Sequence, residues 1–156
     1  MFAVPENTVL SDVRVAPQQP TKILREVLAD RSSWAQLLRY DPAERWTALV
    51  QSTSSYEVWL MSWLPGQGAE LHDHGGAEGA FTVVQGILTE VVGQPGRNGQ
   101  ALHVLRPGQS RVFGPNYVHQ MRNEGIDPAV SIHVFGPTRQ RMTPYRFDPV
   151  DGPVTA

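Results

Sequence analysis

The chain has 156 residues and a net charge of −2, enough for one compact domain with its own core and without the basic footprint of a nucleic-acid binder. Hydrophobic residues make up 40% and charged residues 18%, with 14 glycines and 13 prolines, which suits a turn-rich β globule and excludes a disordered chain. There is no cysteine, which excludes disulfides, thiolate metal sites and a cysteine nucleophile.

Residues 1–20 read as an irregular arm ending in Pro17-Gln18-Gln19-Pro20. The arm lacks the basic start and apolar run of a signal peptide, and no apolar stretch reaches the roughly 20 residues that span a bilayer. The expectation is a soluble cytoplasmic monomer without membrane or nucleic-acid partners. A helical prelude follows over 21–40. Thr21 is placed to cap a helix whose apolar stripe is Ile23, Leu24, Val27 and Leu28. A second helix is predicted from Ser32 or Ser33 to Arg39, turning Trp34, Leu37 and Leu38 inward.

After Asp41-Pro42 the period drops to two, and a β-barrel is predicted over 45–147. Tyr56, Val58 and Leu60 alternate with Glu57, Trp59 and Met61. Short runs follow at 80–84, 87–92, 101–105, 111–113, 117–121 and 129–135, separated by glycine- and proline-rich turns. Many short strands at this spacing mean a mainly β sandwich or barrel.

Three histidines carry the chemistry. His72-Asp73-His74 on a strand places two imidazoles on one face, because alternate residues share a face. Neutral imidazole is the commonest side-chain metal ligand, so the pair can clamp one ion. Such a pair alone is a weak signal; its surroundings make it specific. Gly66 precedes His72 by six residues and Gly86 follows His74 by twelve, and then come Gly108, Gly114-Pro115-Asn116, His119 and Asn123. These positions resemble the two sequence motifs of the cupin superfamily, with Asn116 at a glycine of the second motif. Where many cupins carry a carboxylate ligand this chain has Gly79, so the site reads as His72, His74 and His119 alone. Glu78, one residue away, is the alternative ligand.

Between Trp34 and Pro137 the chain further resembles the cysteine dioxygenase family. The resemblance is carried by Trp34-Ala35 to Leu49-Val50, by Trp63 before the Gly66-x-Gly68 turn, by Gly79, and by Ser131-x-His133-x-Phe135. It implies a small, jelly-roll-like cupin β-barrel with N-terminal helices. It also implies Fe(2+) on three histidines and the oxidation of cysteine to its sulfinic acid by O₂. The alternatives are a dioxygenase of 3-mercaptopropionate or a related thiol, and a metal-binding cupin without oxygenase activity, such as a sugar- or small-acid-binding module or an isomerase.

Two positions depart from the family. Its tyrosine falls on Phe135, and its carboxylate-binding arginine on Thr47, with Arg45 two residues earlier on the same strand face. Arg45, Phe135 and Tyr117 are the substrate-binding candidates. Arg106, Arg111, Arg122 and Arg139 are weaker candidates for the carboxylate anchor. Ser131 and His133 are the catalytic candidates, set against a reading of His133 as a satisfied core histidine between Ile132 and Val134. His103, Trp59 and Trp63 read as structural, and Asp73 as a surface or turn residue.

Overall fold

The structure, a computed structural model, describes residues 19–136 and 142–156. Nearly all of the expected arm over 1–20 lies outside them. Helix α1 (Pro20–Ala29) starts on a proline, whose fixed φ suits the first helical position. Gln19 is the N-cap and makes no side-chain cap bond, so Thr21 lies inside the helix and does not cap it. Ile23, Leu24 and Val27 are buried as the stripe requires.

The second helix does not form. In its place are two 3-10 turns, Arg31–Ser33 and Ala35–Leu37. Ser32 Oγ donates to the Asp30 carboxylate and Ser33 Oγ to the Asp30 carbonyl, local bonds that compete with a helical start. Trp34 still turns inward, donating its indole N–H to Val27 O at 3.1 Å.

The rest is β, as the period of two predicts. In chain order the strands are β1 (Trp46–Ser52), β2 (Glu57–Trp63), β3 (Glu78–Gln85), β4 (Leu88–Gly93), β5 (Gln100–Leu105), β6 (Ser110–Phe113), β7 (Val118–Arg122), β8 (Ala129–Gly136), β9 (Tyr145–Asp148) and β10 (Gly152–Thr155). Five of them form an antiparallel sheet in the order β1-β2-β8-β3-β6, three form a second sheet in the order β5-β4-β7, and β9 pairs with β10. The last hairpin runs past the expected end of the barrel at 147.

The large sheet is covered on both sides. Val58, Leu60, Ala80, Val130, Ile132 and Val134 pack with Ile23, Leu24 and Val27 of α1 in one apolar cluster. Met61, Trp63, Phe81, Val83 and Phe135 belong to a second cluster, with Leu88, Leu105 and Met121 of the three-stranded sheet. Every residue of β8 is therefore buried. The turn from β3 to β4 needs Gly86, which has φ +75° and whose missing Cβ would lie 2.5 Å from Pro128 O. Among the described residues no helix is long and apolar enough to cross a membrane.

Candidate metal centre

His119 sits in β7, and the chain carrying His72 runs beside it. The two residues exchange both backbone hydrogen bonds, at 2.9 and 3.0 Å. The segment is not the regular strand expected for His72-Asp73-His74: His72 makes an isolated bridge and His74 lies beyond it. Alternation still sends both imidazoles inward, and His74 packs between the rings of Phe113 and Phe135 at 4.9 and 4.7 Å. Asp73 points the other way, yet it is more than a surface residue. Its carboxylate accepts from the Gly75 and Thr143 amides and from the Tyr145 hydroxyl, pinning the histidine loop to the chain before β9.

One ring nitrogen from each of His72, His74 and His119 lies within 4.8 Å of the others. His72 Nδ1 donates to Glu70 O at 2.5 Å, and His119 Nδ1 donates to Glu90 Oε2 at 2.7 Å. Both rings therefore present Nε2 as the lone pair. His119 Nε2 points at His74 Nε2, 3.1 Å away, and one cation between them takes both. Burial above all pulls the His72 pKa down to about 4, so its ring is neutral and ready to ligate at neutral pH. The donor set fits a divalent transition ion: three imidazoles suit Zn, Cu, Fe or Ni. Glu78, the alternative ligand, is exposed at the start of β3 and outside this group.

Behind His119 stands Glu90, which no sequence motif singles out. Glu90 on β4 is fully buried, and three donors converge on its carboxylate. They are His119 Nδ1, the Tyr117 hydroxyl at 2.6 Å and Arg111 Nε at 3.0 Å. Burial pushes the Glu90 carboxyl up, but the bonds from His119 and Tyr117 and the charge of Arg111 outweigh it and hold the pKa low. Burial and the bond to Glu90 raise the Tyr117 pKa, keeping its hydroxyl a donor. A charged residue at an inward position of Leu88-Thr89-Glu90-Val91-Val92 was the available signal. Tyr117, expected at the substrate, is not in the cavity wall, and Arg111 holds Glu90 instead of facing a ligand.

The histidines open on a cavity of about 160 Å³. That is well under the roughly 300–1,000 Å³ of sites for drug-sized ligands, so a small molecule fits best. Trp59, Met61, Trp63, Met121, Phe135 and Met142 make most of its wall apolar. Arg45, Thr47 and His133 add polar groups. Arg45 lies over the Trp63 ring, 5.2 Å from its centroid, and directs Nη1 to Met61 Sδ at 3.2 Å. Of the other arginines, Arg122 donates to Gly66 O, Arg106 is exposed, and Arg139 lies outside the described residues.

A relay crosses the base of the cavity. Trp63 Nε1 donates to Ser131 Oγ at 2.9 Å, and Ser131 Oγ lies 2.7 Å from His133 Nε2. The serine hydroxyl, with one donor and two lone pairs, can take the bond from Trp63 and still pair with His133 Nε2 in either tautomer of the ring. Complete burial, and then the nearby Arg45 charge, push the His133 pKa well down, so the ring is neutral. Core satisfaction and a place in the cavity wall are both met by this one residue. Phe135 faces Gly79 across the β8–β3 pair. A Cβ at Gly79 would lie 1.9 Å from Val134 O and 2.8 Å from Phe113 Cζ, so glycine is required there. Asn123 is structural: its Nδ2 donates to Trp63 O and Asp127 O, tying the end of β7 to β2.

Comparison with known proteins agrees with this architecture. A Klebsiella pneumoniae protein described as having a double-stranded β-helix domain superposes with a TM-score of 0.58 at 24% identity, covering 70% of this chain and 91% of its own. An RmlC-like cupin from Desulfovibrio desulfuricans gives a TM-score of 0.51 at 20% identity, covering 64% and 89%. Both show the cupin fold alone. Human cysteine dioxygenase type 1 is 25% identical over 124 residues, 74% of this chain. The aligned region spans 62% of the human protein's length. The model of the family described as cysteine dioxygenase type I matches residues 8–148, and the chain belongs to that family.

Proposed function

We propose that the protein is a non-haem Fe(2+) thiol dioxygenase that converts a small carboxylate-bearing thiol, with L-cysteine the leading candidate, to its sulfinic acid. The observation that carries this reading is a set of three converging histidines opening on a small, mostly apolar cavity that also holds one arginine. Membership of the cysteine dioxygenase type I family supports it independently.

Bound iron would supply a redox centre with open positions, lowering the pKa of a thiol, about 8.5 when free, so that it enters as thiolate. The thiol sulfur itself provides all the electrons that reduce O₂, both oxygen atoms end on that sulfur, and no outside reductant is needed. The chain's own residues orient and enclose. Trp59, Trp63, Phe135 and the three methionines keep water away from the reacting sulfur. Arg45, in the cavity wall with Thr47, would meet the substrate carboxylate, since a guanidinium can offer it two parallel hydrogen bonds. Phe135 removes the family's hydroxyl, leaving His133, hydrogen-bonded to Ser131, as the neutral polar ring in the wall.

Mass spectrometry after turnover under isotopically labelled O₂ tests the reaction class. The expected product is a sulfinic acid with both oxygens from O₂. Disulfide alone, or product oxygen from solvent, would place the protein among metal-binding cupins of another activity.

A further inference from the structure

Behind His119 stands a group of side chains, where His72 has a backbone carbonyl. Val92 pairs directly with His119 across the β4–β7 ladder, and Glu90, two residues earlier on the same face, reaches diagonally to the ring. Its carboxylate accepts three bonds: Oε2 takes His119 Nδ1–H at 2.7 Å and the Tyr117 hydroxyl at 2.6 Å, and Oε1 takes Arg111 Nε–H at 3.0 Å. His72, by contrast, gives its Nδ1–H to a backbone carbonyl. No side chain of this network lines the cavity except His119 itself.

We propose that Glu90, held by Tyr117 and Arg111, is the positioning residue of the metal centre, fixing His119 as the Nδ1–H tautomer so that Nε2 is its metal-facing donor. The proposal rests on the three-histidine reading. A carboxylate can only accept, so His119 Nδ1 must donate, and the ring cannot rotate without breaking that bond. The anion also makes the imidazole a stronger donor to the ion. His119 is thereby held by a side-chain carboxylate where His72 is held by a backbone carbonyl.

Glu90→Gln separates this role from packing, because glutamine has the same shape. Its amide oxygen takes the place of Oε1, because Arg111 can only donate, which puts its N–H₂ at the Oε2 position facing His119 Nδ1 and the Tyr117 oxygen and demands the other tautomer of the ring. Two readouts are taken on the full-length metal-free chain: Co(2+) affinity by chelator competition, and the tautomer of His119 from its ring ¹⁵N chemical shifts. Glu90→Gln should bind Co(2+) about 10–100-fold more weakly, the usual cost of losing such a partner, while its far-UV spectrum stays that of the parent. His119 should be Nδ1-protonated in the parent and lose that preference in the variant. If the variant does not fold, the parent's tautomer alone decides: an Nε2–H ring at His119 overturns the proposal. Equal Co(2+) affinities would overturn it as well. A parent that binds no Co(2+) would instead remove the three-histidine reading beneath it.

Discussion

At the scale of single residues, the cluster of His72, His74 and His119 was legible because metal binding imposes spacing on sequence. Two histidines separated by one residue, bracketed by turn glycines and followed by His119, form a pattern that strand packing alone does not require. Glu90 shares a strand face with Leu88 and Val92, but no spacing ties it to His119, and only the fold shows that it is fully buried beside that ring. The bonds of Tyr117 and Arg111 are illegible for the same reason: both run to Glu90. Arg45 lies half-buried in the cavity wall, and its proposed role there is to meet the substrate carboxylate. A thiol held by sulfur alone can rotate, and a fixed cation gives it one pose. Arg45→Leu should raise KM for cysteine roughly tenfold or more, since a charge-assisted hydrogen bond contributes about 1.5–3 kcal/mol. Cysteamine, which has no carboxylate, should be nearly unaffected. Steady-state kinetics on both thiols checks this, and small equal changes would make Arg45 a packing residue over Trp63.

At the scale of elements, the change from helical period to period two falls near Pro42 in both sequence and structure. The failures lay where local polar bonds override pattern. Ser32 and Ser33 satisfy Asp30 and divert the expected helix into 3-10 turns. The His72 segment is a bridge held by side-chain bonds to Asp73, a device with no periodic signature. The two faces of β2 and β8 explain how one strand run serves two purposes. One face packs on α1 and the other closes the cavity. Stability and metal binding should then separate. Leu24→Ala, on the α1 side, should cost about 2–5 kcal/mol in denaturant unfolding. Below its transition the variant should bind Co(2+) as tightly as the parent. A parallel loss of affinity would mean that the helix layer sets the geometry of the metal centre.

At the scale of the molecule, a helix-backed five-stranded sheet and a three-stranded sheet enclose a small cavity, with metal ligands on the segments that close it. Barrel packing does not pass through the ion, so the apo protein should fold. That independence makes metal content the most direct measurement. Protein purified after iron loading should carry one ion per chain by elemental analysis. His72→Ala, His74→Ala and His119→Ala should each lose most of it while keeping the parent's circular dichroism. A folded His119→Ala protein that retains a full equivalent of metal would contradict the three-histidine centre.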